Sequence, residues 1–256
     1  MLMRAEELPC GWSEYPFTFT GYRVNLSCRS AVWSIFDKKH NEFWMIWTDI
    51  FPAYVFAFLF SVNVTSDSFK QRSVHFRLLM IGLYLAVILS RICSGFYHVF
   101  NCVSLRANQS LIKLDQVGIC CMAMGSPWFF ALVNESHLGA YLCILLSAFS
   151  GCILVITTDS PLLQPALCFL AVIGNCPLLQ IALDSVFSIS LRLMSLMALC
   201  GFLLGYTLFY LGRFPECLMP MGTADGKFWN SHVLWHVITF VSQLLCVLTT
   251  FLQWGL

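Results

Sequence analysis

The chain has 256 residues, of which 59% are hydrophobic and only 11% are charged. This composition is far more apolar than that of a soluble domain of the same length, and it indicates an integral membrane protein. The formal net charge is only +1 and the chain has no basic stripe or arginine-rich tail, which excludes a nucleic-acid partner.

Seven apolar runs are predicted to cross a bilayer, since a helix needs about 20 apolar residues to do so. They cover residues 44–62, 76–97, 114–133, 138–157, 165–183, 191–211 and 231–252. Residues 1–43 are polar, with no apolar core after Arg4, and are not predicted to be a cleavable signal peptide. The predicted fold is therefore all-α: an N-terminal segment of residues 1–43 followed by a seven-transmembrane helix bundle of residues 44–256.

The distribution of lysine and arginine predicts the orientation of this bundle. Most of these residues lie in the N-terminal segment and in the loops on its side of the membrane, whereas the opposite loops and span ends hold only Lys70, Arg72, Arg77 and Arg192. We therefore expect the N-terminus in the cytosol and the C-terminus outside.

The last predicted span opens with His232 and His236, which are four residues apart and so share one helix face. Histidines at membrane depth are costly unless they find a partner, a cavity or a metal. In the predicted orientation, Ser94 and His98 lie in the last turns of span two and Asp115 lies in the first turn of span three. All these side chains then meet at the cytoplasmic end of the bundle, level with Asn41 and Glu42 before span one.

Three imidazoles near a carboxylate are typical of catalytic Zn²⁺, which takes three protein ligands and keeps a position for water. We predict a zinc site near the cytoplasmic leaflet, with His98, His232 and His236 as ligands. Zinc lowers the pKa of its water to about 7, which makes a nucleophile at neutral pH. Asp115 is predicted to orient that water or accept its proton, and Ser94 to hydrogen-bond Asp115, the water or a substrate carbonyl. An HxxxH pair alone is usually incidental, so the prediction depends on this convergence.

Other polar and small residues within the spans are predicted to hold helices together. Asp49 in span one and Arg91 in span two lie at similar depth and are predicted to form an ion pair. Gln243 is expected to pack against a neighbouring helix or to contact a ligand. Close helix contacts are predicted at Gly95, Gly118, Gly151, Gly201 and Gly205.

Several short motifs resemble those of the progestin and adipoQ receptor family, and they occur in the family's order over nearly the whole chain. They are Gly21-Tyr22-Arg23, Ser34-Ile35-Phe36, His40-Asn41-Glu42 with Ile46-Trp47-Thr48, Ser94-Gly95-Phe96-Tyr97-His98, Leu114-Asp115, Arg213-Phe214-Pro215 and Ser231-His232 to His236. Membrane ceramidase-like hydrolases share the same pattern of one Ser, one Asp and three His. The resemblance implies a seven-helix bundle with a cytosolic N-terminus and zinc bound by His98, His232 and His236, with its water near Asp115.

The resemblance leaves two classes of function open. Family members act as receptors for adiponectin or progestins, and some hydrolyse ceramide to sphingosine and fatty acid. The chain is therefore expected to be either a zinc-dependent lipid amide hydrolase or a non-catalytic receptor with structural zinc that binds a steroid or protein ligand. A third alternative is a membrane anchor for cytosolic partners. Met45 and Asp49 depart from the family's usual residues, and so do Val103 and Gln116, but none of these four is a proposed metal ligand. A plasma-membrane or an internal Golgi or ER location, and a homo-oligomer, are compatible with the sequence.

Overall fold

The fold is helical throughout the part of the chain that the computed structural model describes, which is residues 2–12, 17–134, 176–185 and 187–254. Within these residues, one isolated antiparallel bridge joins Met3 and Tyr22, and no strand forms. The helices are α1 (Cys28–Trp33), α2 (Phe43–Thr65), α3 (Asp67–Lys70), α4 (Val74–Phe100), α5 (Leu105–Asn134), α6 (Cys176–Leu183), α7 (Ile189–Tyr206) and α8 (Ser231–Trp254). A π-helical segment, Thr207–Gly212, continues α7, and short 3₁₀ turns occur at Ala5–Glu7, Ser34–Phe36 and Glu216–Leu218.

Four of the described helices are long and apolar enough to cross a bilayer. They are α2, α4, α7 with the start of its extension to Phe209, and α8 up to Phe251. These helices correspond to predicted spans one, two, six and seven. Helix α5 covers predicted span three and α6 the end of span five, whereas span four lies outside the described residues.

Two loops are shorter than the sequence predicted. Helix α2 continues to Thr65, so Asn63 is buried within a helix instead of lying in a polar loop. Helix α5 begins at Leu105, well before the predicted start of span three at residue 114, and the Ser104 hydroxyl caps it by accepting from the Ala107 amide at 3.1 Å. A helix that continues beyond the hydrocarbon core contains polar residues there, so a count of consecutive apolar residues does not locate its ends.

The core of the bundle lies where α4 packs against α2 and α5, and α8 packs against α7. Fully buried side chains such as Phe56 of α2, and Leu83 and Tyr84 of α4, fill it. The predicted close contact at Gly118 is confirmed, because a Cβ there would lie 2.8 Å from the Ser90 carbonyl oxygen. Gly95, Gly201 and Gly205 also face neighbouring helices closely, whereas Gly151 lies outside the described residues.

The N-terminal segment packs over one end of this bundle. The carboxylate of Asp225, in the loop before α8, accepts from the Phe19 amide at 3.1 Å and from the Thr20 hydroxyl at 2.8 Å. The Gly21 carbonyl accepts from the Asn41 amide at 3.0 Å. A Cβ at position 21 would lie 2.9 Å from that amide nitrogen, and φ there is +85°, so glycine is required. These contacts join residues 19–21 to the loop before α8 and to the residues just before α2.

Candidate metal centre

Three buried histidines converge where α4 ends and α8 begins. His98, His232 and His236 each offer one ring nitrogen, and the three nitrogens lie within 4.8 Å of one another. The ring centroids are 5.2 Å apart for His98 with each of the other two and 4.9 Å apart for His232 with His236. This group could hold a metal ion.

The start of α8 is held by two caps, which fix the position of its histidines. The Asn230 side chain accepts from the His232 amide at 2.9 Å and so satisfies one of the free amides at the start of the helix. The buried carboxylate of Glu216 accepts from the Ser231 amide at 2.6 Å. Since Glu216 lies in the preceding loop, only the tertiary fold reveals this second cap.

His98 is oriented by an acid that lies directly before α2. Its Nδ1 is 2.7 Å from Oε2 of Glu42, and the other oxygen of Glu42 accepts from the Asn101 side chain at 2.9 Å. Burial raises the pKa of Glu42, but the hydrogen bonds from His98 and Asn101 and the charge of Arg23 outweigh burial and hold that pKa below the usual value of a glutamate. Glu42 is therefore a carboxylate. The opposite ring atom, Nε2 of His98, is buried and has no hydrogen-bond partner within the described structure.

His236 has a matching arrangement. Its Nδ1 lies 3.3 Å from Asp49 Oδ1 and 3.3 Å from the Thr48 hydroxyl, both on α2. Asp49 also lies 3.5 Å from Nη1 of Arg91, which confirms the predicted ion pair between α2 and α4. Gln243 accepts from Arg91 at 2.7 Å, so it packs against a neighbouring helix, as expected.

His232 is held by an aromatic ring instead. The Phe209 ring stacks on the imidazole with centroids 4.5 Å apart and planes at 24°. The Arg213 guanidinium also lies over the Phe209 ring, 4.5 Å from its centroid. Phe209 belongs to the π-helical extension of α7, a type of helix that is frequent at functional sites. No sequence signal marked Phe209, because the residue lies within an ordinary apolar run.

A small cavity of about 30 Å³ lies beside the histidines. Asp115 and Ser94 line it together with His232 and His236. Asp115 is buried, and the Ser94 hydroxyl interacts with its carboxylate. The cavity is large enough for a single water molecule. The structure thus brings all five sequence-predicted site residues to one place.

These residues fit a zinc ion. Three neutral imidazoles are a common ligand set for Zn²⁺. A histidine ligand normally donates its other N–H to a carboxylate or carbonyl, as His98 and His236 are placed to do towards Glu42 and Asp49. The sequence placed Glu42 at this level of the bundle but did not predict its contact with His98.

Comparison with known proteins identifies the family to which the chain belongs. Residues 37–247 match the haemolysin-III-related family, and this match includes all five candidate site residues. The chain belongs to the haemolysin-III-related family. Together with its spanning helices, this membership makes the protein an integral, multi-pass membrane protein.

Three known proteins are similar to this chain over nearly all of its length. Heptahelical transmembrane protein 1 of Arabidopsis thaliana is 27% identical over 280 residues, which cover 99% of this chain and 82% of the relative. Progestin and adipoQ receptor-like protein 1 of Caenorhabditis elegans is 27% identical over 95% of this chain and 59% of its own length. An uncharacterised protein of Schizosaccharomyces pombe is 27% identical over 94% of this chain, which spans 57% of that relative.

Proposed function

We propose that this family member is a zinc-dependent amide hydrolase that acts on ceramide or a related lipid within the membrane. The observation that carries the proposal is the group of three buried imidazoles within 4.8 Å of one another, beside a cavity that Asp115 and Ser94 line. Three buried histidines and an acid are expensive to keep in a membrane protein without a function.

The side chains can be assigned roles in hydrolysis. His98, His232 and His236 would hold the zinc ion, which when bound polarises a carbonyl and lowers the pKa of its water to about 7. The Asp115 carboxylate accepts the proton of the attacking water and then donates it to the amide nitrogen as the C–N bond breaks. Ser94 holds the Asp115 carboxylate in place. The products are a fatty acid and an amine.

An apolar groove next to the site supports a lipid as the substrate. It has a volume of about 450 Å³ and lies between α2 and α8. Its walls are formed by Phe43, Trp44, Trp47, Thr48, Phe51, Pro52, Phe228, Val237 and Phe240. The hydroxyl of Thr48 turns away from the groove towards Nδ1 of His236 and the Trp44 carbonyl. An acyl chain in this apolar groove would lie one side chain away from a candidate zinc ligand.

The proposed topology has seven spans, with residues 1–43 in the cytosol, the C-terminus outside and residues 44–256 as one transmembrane domain. The name of the Arabidopsis relative supports seven spans. The site then lies near the cytoplasmic leaflet, in the plasma membrane or a Golgi or ER membrane.

Metal content and lipid turnover of purified protein test the proposal. We expect the wild type to contain zinc and to release fatty acid from ceramide, and the double variant His232→Ala with His236→Ala to lose both. Asp115→Asn should retain zinc and lose about 10²–10⁴-fold in turnover, because only proton transfer is removed. Equal zinc in the wild type and the double variant, or no turnover of any lipid amide by the zinc-loaded wild type, would defeat the proposal.

A non-catalytic receptor or scaffold with structural zinc is the second candidate. The name of the nematode relative favours it. A saturable response to a steroid or protein ligand that survives Asp115→Asn, but not the loss of the three histidines, would support a receptor over a hydrolase.

A further inference from the structure

Helix α2 and the residue before it supply none of the three histidines, and yet they touch two of them. Glu42 and Asp49 are seven residues apart, which is close to two helical turns, so they lie on one face. Glu42 Oε2 lies 2.7 Å from Nδ1 of His98, and Asp49 Oδ1 lies 3.3 Å from Nδ1 of His236. Each carboxylate therefore meets the same ring atom of a different imidazole.

These contacts select one tautomer of each ring. A carboxylate can only accept a hydrogen bond, so the Nδ1 of His98 that faces Glu42 must carry the proton. At His236, the Thr48 hydroxyl donates its proton to the Trp44 carbonyl and therefore accepts from Nδ1, which lies beside Asp49. The lone pair of a neutral imidazole then lies on Nε2, and only that nitrogen can bind a metal. Nε2 of His98 is buried and makes no hydrogen bond to the rest of the described structure, as expected of a ligand atom.

Each of these carboxylate–histidine pairs also has an arginine that donates to the backbone carbonyl of the same histidine. Around His98, Nη2 of Arg23 donates to the His98 carbonyl at 2.6 Å. The same nitrogen lies 3.4 Å from the side-chain oxygen of Asn101, whose amide nitrogen donates to Glu42 at 2.9 Å. Ring and backbone of His98 are thus held by one connected network.

The Asp49–His236 pair has the same kind of contacts, made by different residues. Nη1 of Arg91 donates to the His236 carbonyl at 3.3 Å and lies 3.5 Å from Asp49. Nη2 donates to Thr239 at 3.0 Å and to Gln243 at 2.7 Å. Because these contacts use both terminal nitrogens of the buried guanidinium, Arg91 is not available for a substrate and joins α2, α4 and α8 instead.

We propose that Glu42 and Asp49 are positioning residues of the metal site, each fixing one histidine with Nε2 towards the ion, and that Arg23 and Arg91 hold the backbones of the same two histidines. The inference uses the zinc site of the proposed function but does not depend on hydrolysis.

Zinc affinity of the purified protein, measured by competition with a chelating indicator, tests the proposal. We expect Glu42→Gln and Asp49→Asn each to weaken zinc binding by about 10- to 100-fold, the usual effect of losing such a partner. Asp67→Asn, which removes an exposed acid just beyond the far end of α2, is the control and should leave the affinity unchanged.

Two further variants separate positioning from general damage. Asp49→Asn leaves Arg91 buried without its counter-ion, which is strongly destabilising. The double variant Asp49→Asn with Arg91→Gln avoids that charge and should still bind zinc at least 10-fold more weakly, as roughly expected for a lost partner. In a protein that already carries His236→Ala, Asp49→Asn should cause no additional loss of zinc affinity, because the imidazole that Asp49 positions is absent.

Three results would overturn the inference. They are an unchanged zinc affinity in both Glu42→Gln and Asp49→Asn, an equal loss from Asp49→Asn with and without His236, and a wild type that binds no zinc. A wild type that binds zinc with the expected dependence on Glu42 and Asp49, but hydrolyses no lipid amide, would defeat the hydrolase proposal alone.

Discussion

Replacing Gly118 with alanine tests whether the spacing of α4 and α5 sets the position of Asp115. Gly118 follows Asp115 by three residues on α5 and faces α4. The added Cβ would lie 2.8 Å from the Ser90 carbonyl oxygen and 3.2 Å from Cβ of Cys93. A carbonyl within a helix cannot turn aside, so the two helices must separate.

The expected cost follows from the distances. An ordinary contact of a Cβ begins at 3.4 Å, so α5 must move away from the Ser90 carbonyl by about 0.6 Å. Overpacking of this kind costs about 1–3 kcal/mol. Alanine favours the helix by about 1 kcal/mol over glycine, which offsets part of this cost. The net loss is therefore up to about 2 kcal/mol of unfolding free energy, and Asp115 moves relative to the histidines.

Thermal unfolding in detergent and zinc-dependent turnover measure the two effects. Gly201→Ala is the matched control, because the atom closest to its Cβ would be the Ser242 hydroxyl, which can rotate away, while Cβ of Ser242 and Cγ2 of Ile238 would lie at ordinary contact distances of 3.5 and 3.8 Å. We expect Gly118→Ala to lower both Tm and turnover, and Gly201→Ala to leave Tm unchanged or slightly raised. A Gly118→Ala protein with both the stability and the turnover of the wild type, or an equal loss in both variants, would refute the reasoning.

Two further predictions concern groups outside the spans. Burial, and then the charge of Arg23, lower the pKa of His40 to about 4. The His40 side chain therefore stays neutral in the folded protein at pH values where the same histidine in the unfolded chain, with a pKa of 6.5, binds a proton. Stability is lost as pH falls from about 6.5 to about 4, and the loss reaches about 2 kcal/mol at pH 5. The drop in Tm between pH 7 and pH 5 should therefore be smaller in His40→Asn, and an equal drop would contradict the assignment. Glu216→Ala removes the acceptor of the Ser231 amide and should cost about 1–2 kcal/mol, whereas Glu216→Gln keeps an acceptor oxygen and should recover most of the Tm.

Much of the membrane architecture could be predicted from the sequence. Hydrocarbon thickness sets a fixed length for an apolar run, so four of the predicted spans were found as helices with ends within a few residues. Depth could be counted along each span in the same way, which is why the Asp49–Arg91 pair was predicted correctly. The polar start of α5 was missed because a helix outside the hydrocarbon core has no such signal.

The approach of His98, His232 and His236 to Asp115 and Ser94 also followed from counting along the spans. Helical spacing places side chains on a face, and the alternation of spans places faces at one end of the bundle. Both properties are local, and the sequence determines them alone.

The contacts of each ring nitrogen were decided only by the tertiary structure. Whether Glu42 meets His98, or Phe209 stacks on His232, depends on how each helix is rotated about its axis and how closely it approaches its neighbours. Close packing of many side chains sets those rotations together, with glycines such as Gly118 permitting the closest approach. The sequence by itself therefore determined which residues share a level of the membrane, and the packed bundle decided which atoms face one another there.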